Sequence, residues 1–183
     1  MKIKKVFTLI LIIILIILVS VKGQRFYEER MLKEARKQLM NDYSDALEGK
    51  AISNDSHAAM VIGVIKIPSV DLSYTILNKV SEENLDLSIS KVTGPELNKV
   101  GNLVLAGHNK RNGTFFGKLK KVNINDNIIL TDNDGKEKSY TIRKMYRVKD
   151  TDLSPLNQKN DATTLTLITC TEKEDERLIV FAE

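Results

Sequence analysis

The sequence has no tryptophan, a single cysteine, three prolines and two histidines among its 183 residues. Each scarcity excludes something. One cysteine rules out an internal disulfide, so the fold rests on an apolar core. One cysteine and two distant histidines do not make the compact four-ligand set that structural zinc requires. Aromatics are sparse, and no Arg/Lys stripe interleaves with them. The small basic excess, 28 Lys and Arg against 24 Asp and Glu, therefore supports no nucleic-acid partner. No cofactor is expected and no metal ligand is assigned. Calcium on surface carboxylates such as Asp132, Asp134 and Glu137 stays open, although those residues are more simply read as turn formers.

What the chain has in quantity is Val, Ile and Leu. Val6 to Val21 reads VFTLILIIILIILVSV without a charge, behind Met-Lys-Ile-Lys-Lys. As a helix this run is about 24 Å long, somewhat short for a hydrocarbon core of about 30 Å. Lys5 and Lys22 can snorkel outward to make up the difference. A cleaved signal peptide is the alternative. Val21-Lys22-Gly23 places a charge beside the would-be cut, which favours an uncleaved single-pass anchor. The leading lysines favour a cytoplasmic N-terminus with everything after Gly23 outside the cell; Lys22, Arg25 and Arg30 weaken that preference without reversing it.

Arg25 to Leu47 is rich in good helix formers, and Leu32, Ala35, Leu39, Tyr43 and Ala46 recur at helical spacing. This predicts an amphipathic helix ending near Gly49, serving as a spacer or, as a second option, a cover for the site. From Val61 the texture turns to short β-branched runs: Val61–Ile67, Leu72–Leu77, Asn102–Ala106, Asn127–Thr131, Ser139–Val148, Thr163–Thr169 and Leu178–Ala182. Asp132-Asn133-Asp134-Gly135 marks a hairpin. Asn84–Ser90 and Phe115–Leu119 read as short helical turns. The expected architecture is an all-β barrel or sandwich with an anchor at 1–22, a helical linker at 23–58 and a domain at 59–183.

Cys170 ends one apolar run, and Arg177 opens the next, seven positions on (177 − 170). If the two strands pair, Arg177 returns beside Cys170, where a guanidinium and the Thr171 backbone N–H would stabilise an oxyanion. Spacing alone favours the plainer role for Arg177, a surface ion pair with Glu174 or Glu176. A free cysteine is most often a small buried hydrophobe. It becomes a nucleophile only with a partner, and His108, after Gly107, is the candidate. His57 lies in a polar stretch and is expected to be solvated. To this point the residues support an extracytoplasmic β domain with a candidate Cys/His pair.

Thr166-Leu167-Ile168-Thr169-Cys170, with Arg177 on the following strand, resembles the sortase signature Thr-Leu-x-Thr-Cys and its arginine. Gly101–His108, then Thr114-Phe115-Phe116-x-x-Leu119, resembles the sortase histidine motif, and Gly63-x-Ile65-x-Ile67-Pro68 resembles the opening strand. The blocks stand in the family's order from Val61 to Ala182, which makes the resemblance specific. It implies an eight-stranded β-barrel and a cysteine transpeptidase. Its partners would be sorting-signal peptides of the Leu-Pro-x-Thr-Gly kind, cut after Thr, and an amine of cell-wall precursor or pilin at a Gram-positive surface. It implies Cys170 as nucleophile, His108 as proton carrier, Arg177 as oxyanion and substrate holder, and Thr169 and Thr171 beside the substrate. The short segment between Val148 and Thr163 is more similar to class A or D than to class B, and no Asp-Pro lid points to class C. The short Cys170–Arg177 loop departs from the family. A cysteine peptidase that releases product to water would use the same residues, and a non-catalytic peptide-binding domain would leave Cys170 inert.

Overall fold

The computed structural model describes residues 2–50, 58–159 and 161–183. His57 and most of the polar stretch 50–56 lie outside the described residues. Helix α1 runs unbroken from Lys2 to Leu47, through Gly23, so anchor and linker share one helix. Its second half is rich in Glu, Lys, Arg, Met and Leu, which are good helix formers, and its first half is the uncharged Leu/Ile run. It is long and apolar enough to cross a membrane, and Ile10 through Val19 expose their side chains. Two compact units divide at Lys37, so the last turns of α1 belong to the unit Gln38–Glu183.

In that unit eight strands close into a barrel: β1 (Val61–Ile67), β2 (Leu72–Leu77), β3 (Ile89–Thr93), β4 (Gly101–Ala106), β5 (Asn127–Asp132), β6 (Glu137–Lys149), β7 (Thr163–Cys170) and β8 (Glu176–Ala182). The order around the barrel is β1-β2-β3-β4-β7-β8-β6-β5. The β2/β3 and β4/β7 pairs are parallel, and the others are antiparallel. Closure leaves no sheet edge open to pairing with another chain. The core is one cluster of inward side chains, among them Ile65, Leu105, Ile128, Leu165, Leu167 and Val180. On β7 the inward positions alternate with Ile168 and Cys170, which face outward.

The Asp-Gly hairpin forms as expected. Gly135 takes φ +74°, and the Asp132 carboxylate accepts the N–H groups of Asp134 and Lys136. Gly49, at φ +72°, closes α1, its N–H donating to the Ala46 carbonyl. Tyr43 on the last turns is buried and donates to the Asp132 carbonyl at 2.7 Å. That contact lies at the β5/β6 hairpin. Cys170 lies at the other end, where the far end of β6 pairs Lys149 with Glu176. The turns around Tyr43 therefore do not cover Cys170.

Burial, with the nearby Asp132 and Glu137 charges, pushes the Tyr43 phenol up to about 12, and burial does the same for Tyr140. An unfolded phenol ionises near 10. The folded state thus holds protons that the unfolded state has lost, and stability is full below pH 10 and falls as pH rises toward 12. Urea denaturation of Tyr140→Phe should show a smaller loss between pH 8 and pH 11 than the unsubstituted protein. Equal losses would contradict this assignment.

Candidate active site

The parallel β4/β7 pair sets the site. Ala106 is in register with Ile168, so two residues further on His108 and Cys170 emerge from adjacent strand ends. Three hydrogen bonds rivet these ends. Gly107 N–H donates to the Ile168 carbonyl at 3.3 Å, Thr169 Oγ1 to the Gly107 carbonyl at 2.7 Å, and Asn109 Nδ2 to the Cys170 carbonyl at 2.9 Å. Gly107 is required by packing, because a Cβ there would stand 2.5 Å from Ile89 Cδ1 and 2.9 Å from Phe116.

His108 is pinned on its backbone by Phe116 N–H, 3.0 Å from its carbonyl. Its ring meets Phe115 edge-on at 6.1 Å, and Phe115 in turn lies 5.2 Å from Tyr74. Phe115 is fully buried at φ +53°, a conformation that costs a bulky residue about 1–3 kcal/mol and persists only where packing enforces it. His108 Nε2 stands 3.3 Å from Asp86 Oδ1. Asp86 belongs to helix α2 (Glu82–Leu87), which starts at a Ser81 cap whose hydroxyl accepts the Asn84 N–H. Behind α2, Ser88 donates to the Thr75 carbonyl at 2.7 Å and ties the helix to β2.

The Cys170 thiol is exposed. It opens on a cleft of about 300 Å³ walled by Asn109, Tyr146, Thr171, Glu176 and Leu178. Cys170 and Arg177 are direct partners across β7/β8. The Thr171 N–H donates to the Glu176 carbonyl, making that next pair hydrogen-bonded. The Cys170/Arg177 pair is then the non-hydrogen-bonded kind, in which the two side chains stand closest. The guanidinium is half-buried. Its Nη1 donates to the carbonyls of Glu174 and Glu176, and Nη2 faces Asp150 at 3.7 Å. Asp150 sits in the β6/β7 loop. Further along, that loop is held by Asn102, a buried amide that donates to the carbonyls of Pro155 and Asn157.

Of the expected residues, His108, Cys170 and Arg177 come together at one end of the barrel. Two others take different roles. The Thr169 hydroxyl is buried on Gly107, so it positions the histidine strand and does not face a ligand. The Thr171 N–H donates to the Glu176 carbonyl across the hairpin at 3.2 Å. Asp86 and Asn109 were not foreseen. Asn109 sits in a loop beside His108, and Asp86 lies in the helical turn expected over Asn84–Ser90, which the structure places at Glu82–Leu87 behind the Ser81 cap. Among the described residues, no three His, Cys, Asp or Glu side chains are grouped to hold a metal ion. Asp132 is engaged by its own turn, and Glu137 by the Thr131 hydroxyl.

The model of the Sortase domain matches residues 65–183. The chain belongs to the sortase family. It is 32% identical over 111 residues to sortase A of Listeria monocytogenes, covering 60% of this chain and 49% of that protein. The chain thus spans about half the length of this curated relative. Among solved structures, sortase A of L. monocytogenes superposes with TM-score 0.61 at 29% identity, over 68% of this chain and 86% of that one. A Clostridium perfringens sortase D5 transpeptidase superposes with TM-score 0.69 at 21% identity, over 82% and 98%. The latter likeness is one of fold. The eight-stranded barrel is the sortase fold that the resemblance implied.

Asp86→Asn tests the carboxylate behind His108. The carboxylate stands 3.3 Å from Nε2 and fixes the orientation of the ring. Its loss should lower kcat/KM about tenfold. Unchanged kcat/KM would reduce Asp86 to a surface contact.

Proposed function

We propose that this sortase is a membrane-anchored cysteine transpeptidase. The observation that carries the reading is the convergence of His108, Cys170 and Arg177 through two different strand pairings at one barrel end. The Cys170 thiolate attacks the Thr carbonyl of a Leu-Pro-x-Thr-Gly-like sorting signal. Arg177 donates to the oxyanion from the neighbouring strand. The C–N bond breaks, His108 gives its proton to the departing Gly amine, and a thioester remains on Cys170. An incoming amine of cell-wall precursor or pilin then loses a proton to His108 and displaces the thiolate, forming a new amide. The apolar stretch of α1 holds the enzyme at the membrane with its N-terminus inside and the barrel outside, where secreted donors and lipid-linked acceptors meet. The reading uses no metal or cofactor.

The test is incubation of the full chain, in uncharged detergent micelles, with a panel of sorting-type peptides, with and without triglycine. Cleavage after Thr with transfer to triglycine is the expected result. Cleavage that triglycine never intercepts would indicate a hydrolytic peptidase, and no cleavage of any peptide would favour a binding domain.

A further inference from the structure

A second cleft, of about 750 Å³, starts at Asn109 and Thr171, the immediate neighbours of His108 and Cys170. Its walls carry Lys110, Arg111, Lys118, Lys120 and Lys121 against one acid, Glu172. The whole chain carries a net charge of only +4, so this is a strong local concentration. Three of the cations have anionic neighbours. Lys110 reaches Asp86 at 3.3 Å, Lys118 Asp71 at 3.9 Å and Lys120 Glu172 at 2.9 Å. Arg111 and Lys121 make no ion pair among the described residues. The field is felt at the lone acid. A hydrogen bond from Lys120, then the charges of Lys120, Arg147 and Arg111, hold the Glu172 carboxyl below its ordinary value. Glycine lets this loop pack closely, since any side chain at Gly117 would collide with the Lys110 carbonyl, and Gly113 turns at φ +81°.

We propose that this cleft is the anion subsite for the acceptor, taking a phosphate or diphosphate group carried by the incoming amine. The proposal rests on the transpeptidase reading above. His108, Asn109, Lys110 and Arg111 are consecutive, so a molecule held over this loop by its phosphate presents its amine to His108 and the thioester. Arg111 offers a planar fork suited to phosphate oxygens, and the lysines supply point charges. The lipid-linked phosphate of a membrane precursor and the phosphate of a soluble amine share this chemistry.

Two measurements on the full chain in uncharged micelles decide it. The first is ³¹P titration with inorganic pyrophosphate, which requires no turnover. Arg111→Ala/Lys121→Ala should weaken binding about tenfold, the scale of one or two charged hydrogen bonds. The second is the acceptor KM for Gly-Gly-phosphoserine against Gly-Gly-serine, compared within each protein so that changes in overall rate cancel. The phosphorylated acceptor should have the lower KM, by about tenfold, and the double variant should erase the difference. A repeat in phosphatidylcholine nanodiscs with and without phosphatidic acid identifies the source. Competition by phosphatidic acid for both pyrophosphate and acceptor supports a lipid-borne phosphate, and its absence supports a soluble one. No pyrophosphate binding, or binding indifferent to the double variant, overturns the subsite. Pyrophosphate binding with equal acceptor KM values overturns the acceptor assignment. Failure of donor cleavage itself counts against the transpeptidase reading and is seen separately, in reactions without acceptor.

Discussion

Cys170→Ala is expected to reduce turnover by at least about a thousandfold while leaving the barrel folded. The two halves of this result have separate causes. The thiolate is the group that forms the thioester, and alanine offers no replacement. The side chain faces outward at the last position of β7, exposed, and contributes nothing to the inward cluster that holds the strands. An exposed substitution of this kind changes stability by about 0.5 kcal/mol or less. Circular dichroism melts beside rate measurements read both halves. A variant that unfolds would make Cys170 a packing residue and cancel the assignment of the site.

Arg177→Lys should cost about a hundredfold or more in kcat, the scale of losing one oxyanion donor. Lysine keeps the charge but not the planar fork. In the structure Nη1 bridges two carbonyls of the β7/β8 hairpin while Nη2 faces Asp150, so one plane is held from two sides. An ammonium on a flexible stem cannot reproduce that hold, so it would not keep a fixed donor on the strand paired with Cys170. Because the oxyanion exists only in the transition state, the loss should fall on kcat with KM little changed. Near-normal kcat would return Arg177 to the role of a hairpin clamp.

The residues differ in how openly they announced this arrangement. Cys170 and Arg177 were readable as neighbours because a short charged loop joins two apolar runs, and a hairpin is the simplest closure of such a pattern. Arg177 stands one residue inside β8, which begins at Glu176. The nearness of His108 to Cys170 depends on a parallel pairing across the whole β5/β6 excursion, and no local spacing encodes that. The need of a lone thiol for a partner made them a candidate pair, and the likeness of the two motifs to the sortase pattern joined them. Strand β3 escaped notice because Ile89-Ser-Lys-Val-Thr follows α2 directly and meets β2 at only two residue pairs. Its alternation is too short to separate from the helical turn before it. Asp86 was hidden for the same reason. A carboxylate on a two-turn helix is ordinary surface until Ser88 and Thr75 fix that helix against β2.

The account stands or falls on an acyl-enzyme at Cys170. The direct measurement is the intact mass of the full chain, in detergent, after brief exposure to a cleavable sorting-type peptide. Peptide mapping then follows, with a parallel sample chased with triglycine. The expected result is an adduct equal to the peptide's acyl portion through Thr, with loss of the thiol proton, located on Cys170 and discharged by the amine. Cleavage of the donor with no adduct at any time, or an adduct located on another residue, would contradict the account.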